Sequence, residues 1–196
     1  METVYQNNDF IIVIKPAGLD SEKDVPALLK AQLTKDVYTL HRLDKNVSGL
    51  MVYAKHKKAA ATLSKIIAEN LMTKEYIALV EGEVEEEGIF EDFLFKDSRK
   101  NKVFVVKKER KGVKYAKLSF KRLNNTTPSL VRVHLYTGRT HQIRVQFASR
   151  KHPLIGDKRY GSKSDIKDPM LYSCYLSFDY NNEHFEFESL PKWATI

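Results

Sequence analysis

Three polar clusters in this chain carry residue types that do chemistry, and each adjoins an apolar run of strand character. The first, His41-Arg42-Leu43-Asp44-Lys45-Asn46-Val47-Ser48-Gly49, gathers a carboxylate, an imidazole and two cations in a loop between two apolar strands. Loops carried by a rigid scaffold are where sites concentrate, and an aspartate held there is a candidate nucleophile or base. Taken alone, Asp44 fits a loop carboxylate that bonds a turn, Arg42 fits a solvated charge, and His41 reads as structural. The second cluster, Lys74-Glu75-Tyr76-Ile77-Ala78-Leu79-Val80-Glu81-Gly82, places Tyr76 in a strand whose alternation sends Ile77 and Leu79 the other way. A strand tyrosine is ordinarily packing. The third runs from Leu135 to Arg144, where a strand ends at Gly138 and Arg139 and Arg144 bracket a first helical turn. Helix starts and arginines both suit phosphate, although exposed arginines are common everywhere.

The elements that must position these clusters follow from periodicity. Phe10 to Ile14 is a β-branched strand running into the turn Lys15-Pro16-Ala17-Gly18. Asp24 is placed to cap a helix through Leu33, with Pro26 in its first turn. Residues 50–54 read as a strand and 56–70 as an amphipathic helix with the stripe Ala59, Leu63, Ile66 and Ile67. A strand over 74–80 leads to a Glu-rich hairpin or loop at 83–92, an acidic patch expected to face away from RNA. Further strands are expected at 103–106, 113–123, 130–136, 171–178 and 184–188. Thr140 is the expected cap of a helix that sets Ile143 and Phe147 on one face. Many strands, few helices and no regular β-α-β repeat predict an α+β fold with a mixed or antiparallel sheet.

With 196 residues, the chain is long enough for one sizeable core, and a single catalytic domain over 1–196 is the expectation. Its formal charge of +8 implies attraction to polyanions, with nucleic acid ahead of an anionic membrane. No apolar run approaches the roughly 20 residues of a spanning helix, and the N-terminal residues lack signal-peptide character, so a cytosolic protein is expected. Cys174 is the sole cysteine, which excludes an internal disulfide and a thiolate-rich zinc site. The histidines His56, His134, His141 and His152 show no metal-ligand spacing, and no metal is expected. Lys55-His56-Lys57-Lys58 and Lys107-Lys108-Glu109-Arg110-Lys111 are candidate phosphate contacts, although charge runs are usually solvated faces or hairpin tips.

Taken together, the clusters resemble the motifs of the RluA family of pseudouridine synthases. The likeness covers HRLDK-x-x-SG at 41–49, K-x-Y-x-A-L-V-x-G at 74–82 and GRTHQIR at 138–144. It continues through His152-Pro153-Leu154-Ile155-Gly156-Asp157 and Arg159-Tyr160-Gly161, and includes Lys15-Pro16-Ala17-Gly18. The resemblance implies a pseudouridine-synthase core, a curved and mainly antiparallel sheet with flanking helices and a central cleft holding Asp44, Tyr76 and Arg144. It implies Asp44 as nucleophile, Tyr76 beside the target base and Arg144 as partner of the aspartate. Arg42 looks like the arginine that assists base flipping, and Arg139, His141, Gln142 and Tyr160 are expected to bind substrate. The reaction exchanges one glycosidic bond for another without redox change, so no cofactor is expected. The partner is RNA, ribosomal or transfer, and a monomer without an obligate protein partner or membrane association is expected. Val47 stands where the family commonly has threonine, and the segment after Gly18 is short against the family pattern. The family often adds an N-terminal S4 domain; with about nine residues ahead of the first expected strand, that domain is expected to be absent. The rivals are a non-catalytic RNA binder on the same scaffold and a glycosidase-like hydrolase. The latter lacks a convincing second carboxylate, since Asp157 reads as a turn residue.

Overall fold

The computed structural model describes residues 1–194 and divides the chain into two compact units. Unit 1 comprises Met1–Lys74 and Tyr172–Pro191; unit 2 comprises Glu75–Leu171 and the residues from Lys192. The fold is α+β and its strands pair mostly antiparallel, as the pattern predicts.

Unit 1 contains β1 (Glu2–Gln6), β2 (Phe10–Lys15), α1 (Asp24–Leu33), β3 (Tyr38–Thr39), β4 (Ser48–Ala54) and α2 (Lys57–Ala68). β5 (Thr73–Val80) begins in this unit and continues into the other. β1 pairs antiparallel with β2, and β2 with β4. The first strand therefore lies at Glu2–Gln6 rather than at Phe10. Its alternation of half-buried Thr3 and Tyr5 with exposed polar neighbours is the signature of an edge strand, too short and polar to be read without its partner.

Alternation along β2 and β4 builds two faces. Phe10, Ile12, Leu50, Val52 and Ala54 pack with Ala59 and Leu63 of α2. The opposite face carries Lys15, Met51 and Tyr53, all fully buried, and Tyr53 Oη donates to the carbonyl of Ser21 at 2.8 Å. α1 spans the expected residues, but Asp24 does not cap it: the N-cap is Lys23, and the Asp24 carboxylate instead accepts the N–H of Asp20 at 2.8 Å.

Unit 2 continues with β6 (Glu87–Asp97), β7 (Lys102–Val106), β8 (Val113–Arg122), β9 (Ser129–Leu135) and α3 (Gln142–Ser149). A 3-10 turn follows at Lys158–Tyr160. Neighbouring strands run in the order β5, β9, β8, β6, β7, all antiparallel. The Glu-rich stretch expected as a hairpin or loop is mostly the start of the long strand β6. Its glutamates occupy the solvent side, and Phe90 on the other side packs on Phe120 and Phe147 at 4.9 and 5.0 Å between ring centroids. Every residue of α3 from Gln142 to Phe147 is buried, so the expected one-sided stripe is a helix enclosed almost all round.

The chain returns to unit 1 along β10 (Leu171–Tyr180) and β11 (Glu183–Glu188), which form an antiparallel pair. β10 also pairs with the start of β4, and that contact is parallel: Tyr172 lies opposite Ser48 and Ser173 opposite Gly49.

Candidate active site

The loop bearing Asp44 is fastened at successive positions. Leu43 and Val47 are buried, and Val47 N–H donates to the carbonyl of Asp44 at 2.9 Å to close a turn. Ser21 Oγ donates to the carbonyl of Leu43 at 3.0 Å, and Gly18 N–H to that of Lys45 at 2.8 Å. The loop leads into Gly49, whose φ of +122° suits glycine. A Cβ at Gly49 would stand 2.3 Å from the carbonyl oxygen of Ser173, so only glycine lets β10 approach. The glycine of the 41–49 cluster therefore sets the point from which the Asp44 loop springs.

Under this loop lies a residue that sequence reasoning treated only as part of a turn. The ammonium of Lys15 is buried and donates to the carbonyls of Pro16, Leu19 and Lys45 at 3.0, 2.9 and 3.1 Å. It joins the Lys15-Pro16-Ala17-Gly18 turn to the Asp44 loop. Burial lowers its pKa to about 8, opposed by the negative charges of Asp44, Asp20 and Asp24. The available signal was a lysine closing a wholly apolar strand immediately before a proline.

His41 is structural, as read. Its Nε2 accepts the N–H of Val52 at 3.2 Å, and burial together with the charge of Lys74 lowers its pKa to about 3. Arg42 is exposed and pairs with Glu22 at 3.0 Å. Such a surface pair contributes little stability and exchanges readily for another anion. Of the first basic stretch, Lys55 donates to the carbonyl of Asn7 at 2.7 Å, and His56 caps α2 while bonding Asp9 at 2.8 Å. These two residues serve the fold.

Tyr76 and Arg144 lie in unit 2. Tyr76 is opposite Val133, and Val133 is opposite Phe120, so all three share one sheet face. Phe120 packs on Phe147 at 5.3 Å, which places α3 on that same face. Arg144, on α3, is buried and grips Asp157 with two bonds, Nε to Oδ2 at 2.6 Å and Nη2 to Oδ1 at 2.9 Å. The ring of Tyr160 lies 5.2 Å from the guanidinium carbon. Asp157 does sit in a turn, its N–H donating to Leu154 and its carbonyl accepting from Tyr160 and Ser162. Its side chain, however, is the anchor of Arg144, which no local pattern announced. Two of the five guanidinium donors are thus committed, and the remainder suffice for a second carboxylate.

The other expected substrate residues divide by environment. The Gln142 amide is engaged with the protein: Oε1 accepts from Thr137 Oγ at 2.8 Å and from Arg139 N–H at 3.0 Å, while Nε2 donates to the carbonyl of Lys117 at 3.1 Å. It braces the turn before α3. Thr140 is not the helix cap; that position is His141, in the left-handed region at φ +52° without a side-chain cap bond. The Gln142 brace and the left-handed residue replace the expected capping hydroxyl. His141 Nδ1 lies 2.9 Å from Tyr160 Oη, which also accepts the N–H of Val103 at 2.9 Å. Arg139 is exposed, with Nε donating to the carbonyl of Tyr115 at 2.9 Å.

Comparison with known proteins gives this arrangement a context. Residues 9–149 match the model of the family described as RNA pseudouridylate synthase. A protein of Aquifex aeolicus, called an uncharacterized RNA pseudouridine synthase, is 36% identical over 87% of this chain and 59% of its own length. The tRNA pseudouridine synthase C of Vibrio parahaemolyticus is 32% identical over 82% of this chain and 74% of its own. Among solved structures, human RNA Pseudouridylate Synthase Domain Containing 1 superposes with a TM-score of 0.85 at 26% identity, over 97% of this chain and 83% of that one. On the extent of the family match and of the Vibrio relative, with the three sequence clusters in order, this chain belongs to the RNA pseudouridylate synthase family.

Proposed function

We propose that the chain isomerises uridine to pseudouridine at chosen positions of structured RNA, with Asp44 as the reacting carboxylate and without a cofactor. The reaction breaks the C1′–N1 bond, turns the uracil and joins C5 to C1′; C5 gives up a proton and N1 gains one. Asp44 either attacks C1′ to form a covalent intermediate or removes the C2′ proton on a glycal route. Both demand the carboxylate form held in one orientation. The observation that carries the reading is the fastening of the Asp44 loop from Leu43 to Val47 over the Lys15 ammonium, since a reacting group contributes most when its geometry is fixed beforehand.

In this reading Arg144 partners Asp44 and stabilises its anion, and Tyr76 stacks beside the uracil. Arg42 exchanges Glu22 for RNA as the nucleotide leaves its stack. Arg139, His141 and Tyr160 contact the RNA, and Gln142 acts by holding the Arg139 turn. The protein works as a cytosolic monomer on RNA alone. The name of the Vibrio relative makes transfer RNA the first substrate to try, with ribosomal RNA second.

The test is Asp44→Asn, assayed by mass spectrometry for pseudouridine in transfer and ribosomal RNA. Turnover is expected to vanish while RNA affinity stays within a few-fold. Residual turnover above about a thousandth of the parent rate removes Asp44 from the role.

A further inference from the structure

The register of unit 2 extends the Tyr76 face toward the far end of the β6 and β8 hairpin. Phe120 lies opposite Gly88, and six residues along the same ladder Lys114 lies opposite Leu94. Strand alternation keeps both on the face that carries Tyr76 and α3, with Lys96 one step beyond Leu94. There the core of Leu94, Val103, Ala116 and Val145 gives way to a cavity of about 150 Å³. Leu94 and Val103 line it with Lys96, Lys114, Arg139 and Thr140, and Gly112 and Gly138 complete its wall.

The charges of this cavity stand apart from those around it. Elsewhere in unit 2, Lys117 pairs with Glu91 at 2.7 Å, Arg122 with Glu83 at 2.6 Å and Arg150 with Asp92 at 2.9 Å. Among the described residues, no carboxylate pairs with Lys96, Lys114 or Arg139, and the bond from Arg139 Nε to Tyr115 fixes the direction of its guanidinium. Three cations around one concavity repel one another until an anion arrives. Drug-sized ligands occupy roughly 300–1,000 Å³, so this cavity suits one small anionic group.

We propose that the cavity seats a backbone phosphate of the RNA away from the reacting nucleotide, with Lys96 and Lys114 joining Arg139 as its ligands. The proposal rests on the RNA-modifying reading above and adds the place where the strand is held.

The probe is a fluorescein-labelled stem-loop of about 20 nucleotides with a uridine loop, since RNA is read mainly through shape and unpaired bases. Its binding is followed by anisotropy across a salt series for the parent, Lys96→Gln/Lys114→Gln, and Lys121→Gln. Lys121 is an exposed control on the opposite face of β8, and replacing exposed lysines leaves the fold intact. The double variant is expected to bind about tenfold more weakly, and its log–log salt slope to fall by about 1.5. Lys121→Gln is expected to match the parent. Replacing chloride by inorganic phosphate at constant ionic strength should weaken the parent more than the double variant, because free phosphate competes for the same cations.

Parental affinity and slope in the double variant overturn the proposal, as does an equal loss in Lys121→Gln. Pseudouridine formation on transfer RNA at saturating concentration is measured alongside and should stay within twofold of the parent. If the parent forms no pseudouridine while the double variant still loses affinity, the cavity stands and the catalytic reading falls. If the parent turns over and the affinities are equal, only the cavity is lost.

Discussion

Arg144 and Asp157 form a buried, two-bonded pair in which the carboxylate holds the Nε and Nη2 edge of the guanidinium. Burial makes each partner necessary to the other, because a lone charge left in such a site costs several kcal/mol.

Asp157→Asn is therefore expected to lower stability by about 3 kcal/mol, read from urea unfolding, and to reduce turnover with it. Arg144→Lys keeps a charge without the planar fork and should reduce turnover at least tenfold. If that variant stays within a factor of two of the parent, Arg144 does not serve the reacting carboxylate, and Arg139 takes its place as the candidate.

Lys15→Met leaves three carbonyls without their shared donor and should destabilise unit 1 by about 2 kcal/mol. The pH dependence has a definite sign. The native pKa is about 8 against an ordinary 10.5, so between those values the unfolded chain binds more protons and stability rises with pH. The margin of the parent over Lys15→Met should widen from pH 8 to pH 10. A margin that narrows there places the ammonium elsewhere.

His41 behaves similarly at acid pH. Burial and Lys74 hold it neutral down to about pH 3, whereas the unfolded imidazole protonates near 6.5. Its contribution is full above 6.5 and declines as pH falls from 6.5 toward 3. His41→Gln should flatten that part of the stability curve in urea titrations. An unchanged slope means that some other group sets the acid limit.

A short stem-loop presenting the target uridine in its loop is expected to react nearly as fast as full-length RNA, with intact duplex and free uridine inert. Extrusion from a helix costs a few kcal/mol that an unpaired loop base does not require. A mass-spectrometric time course on the four substrates decides it. Reaction of the full-length RNA alone means that recognition needs distant contacts.

Local pattern made most of the strands and helices legible, because β2, β4, β8 and β9 alternate against a core and α2 carries a clear stripe. Edge strand β1 and the start of β6 were missed, since their pairing depends on distant segments while their own residues are polar. The site divides the same way. The HRLDK and GRTHQIR clusters announced Asp44 and Arg144, whereas Asp157 and Lys15 matter through contacts made only in three dimensions. Gln142 was legible as a polar residue in a motif, but its engagement with Thr137, Arg139 and Lys117 was not. Thr140 had the right chemistry for a cap and lost to a left-handed His141.

The contact of Gly49 with Ser173 bears on the order of assembly. Unit 1 draws on two stretches, Met1–Lys74 and Tyr172–Pro191, separated by the long segment Glu75–Leu171. During synthesis, that segment emerges before β10 and can form its antiparallel ladders while Phe10, Leu50 and Val52 still await Leu176 and Phe178. Pairing across so great a sequence distance is slow, because loop closure must precede its reward. The strand that supports the Asp44 loop at Gly49 therefore joins late, and a ribosome paused before residue 173 holds a chain whose reacting carboxylate has yet to be set in place.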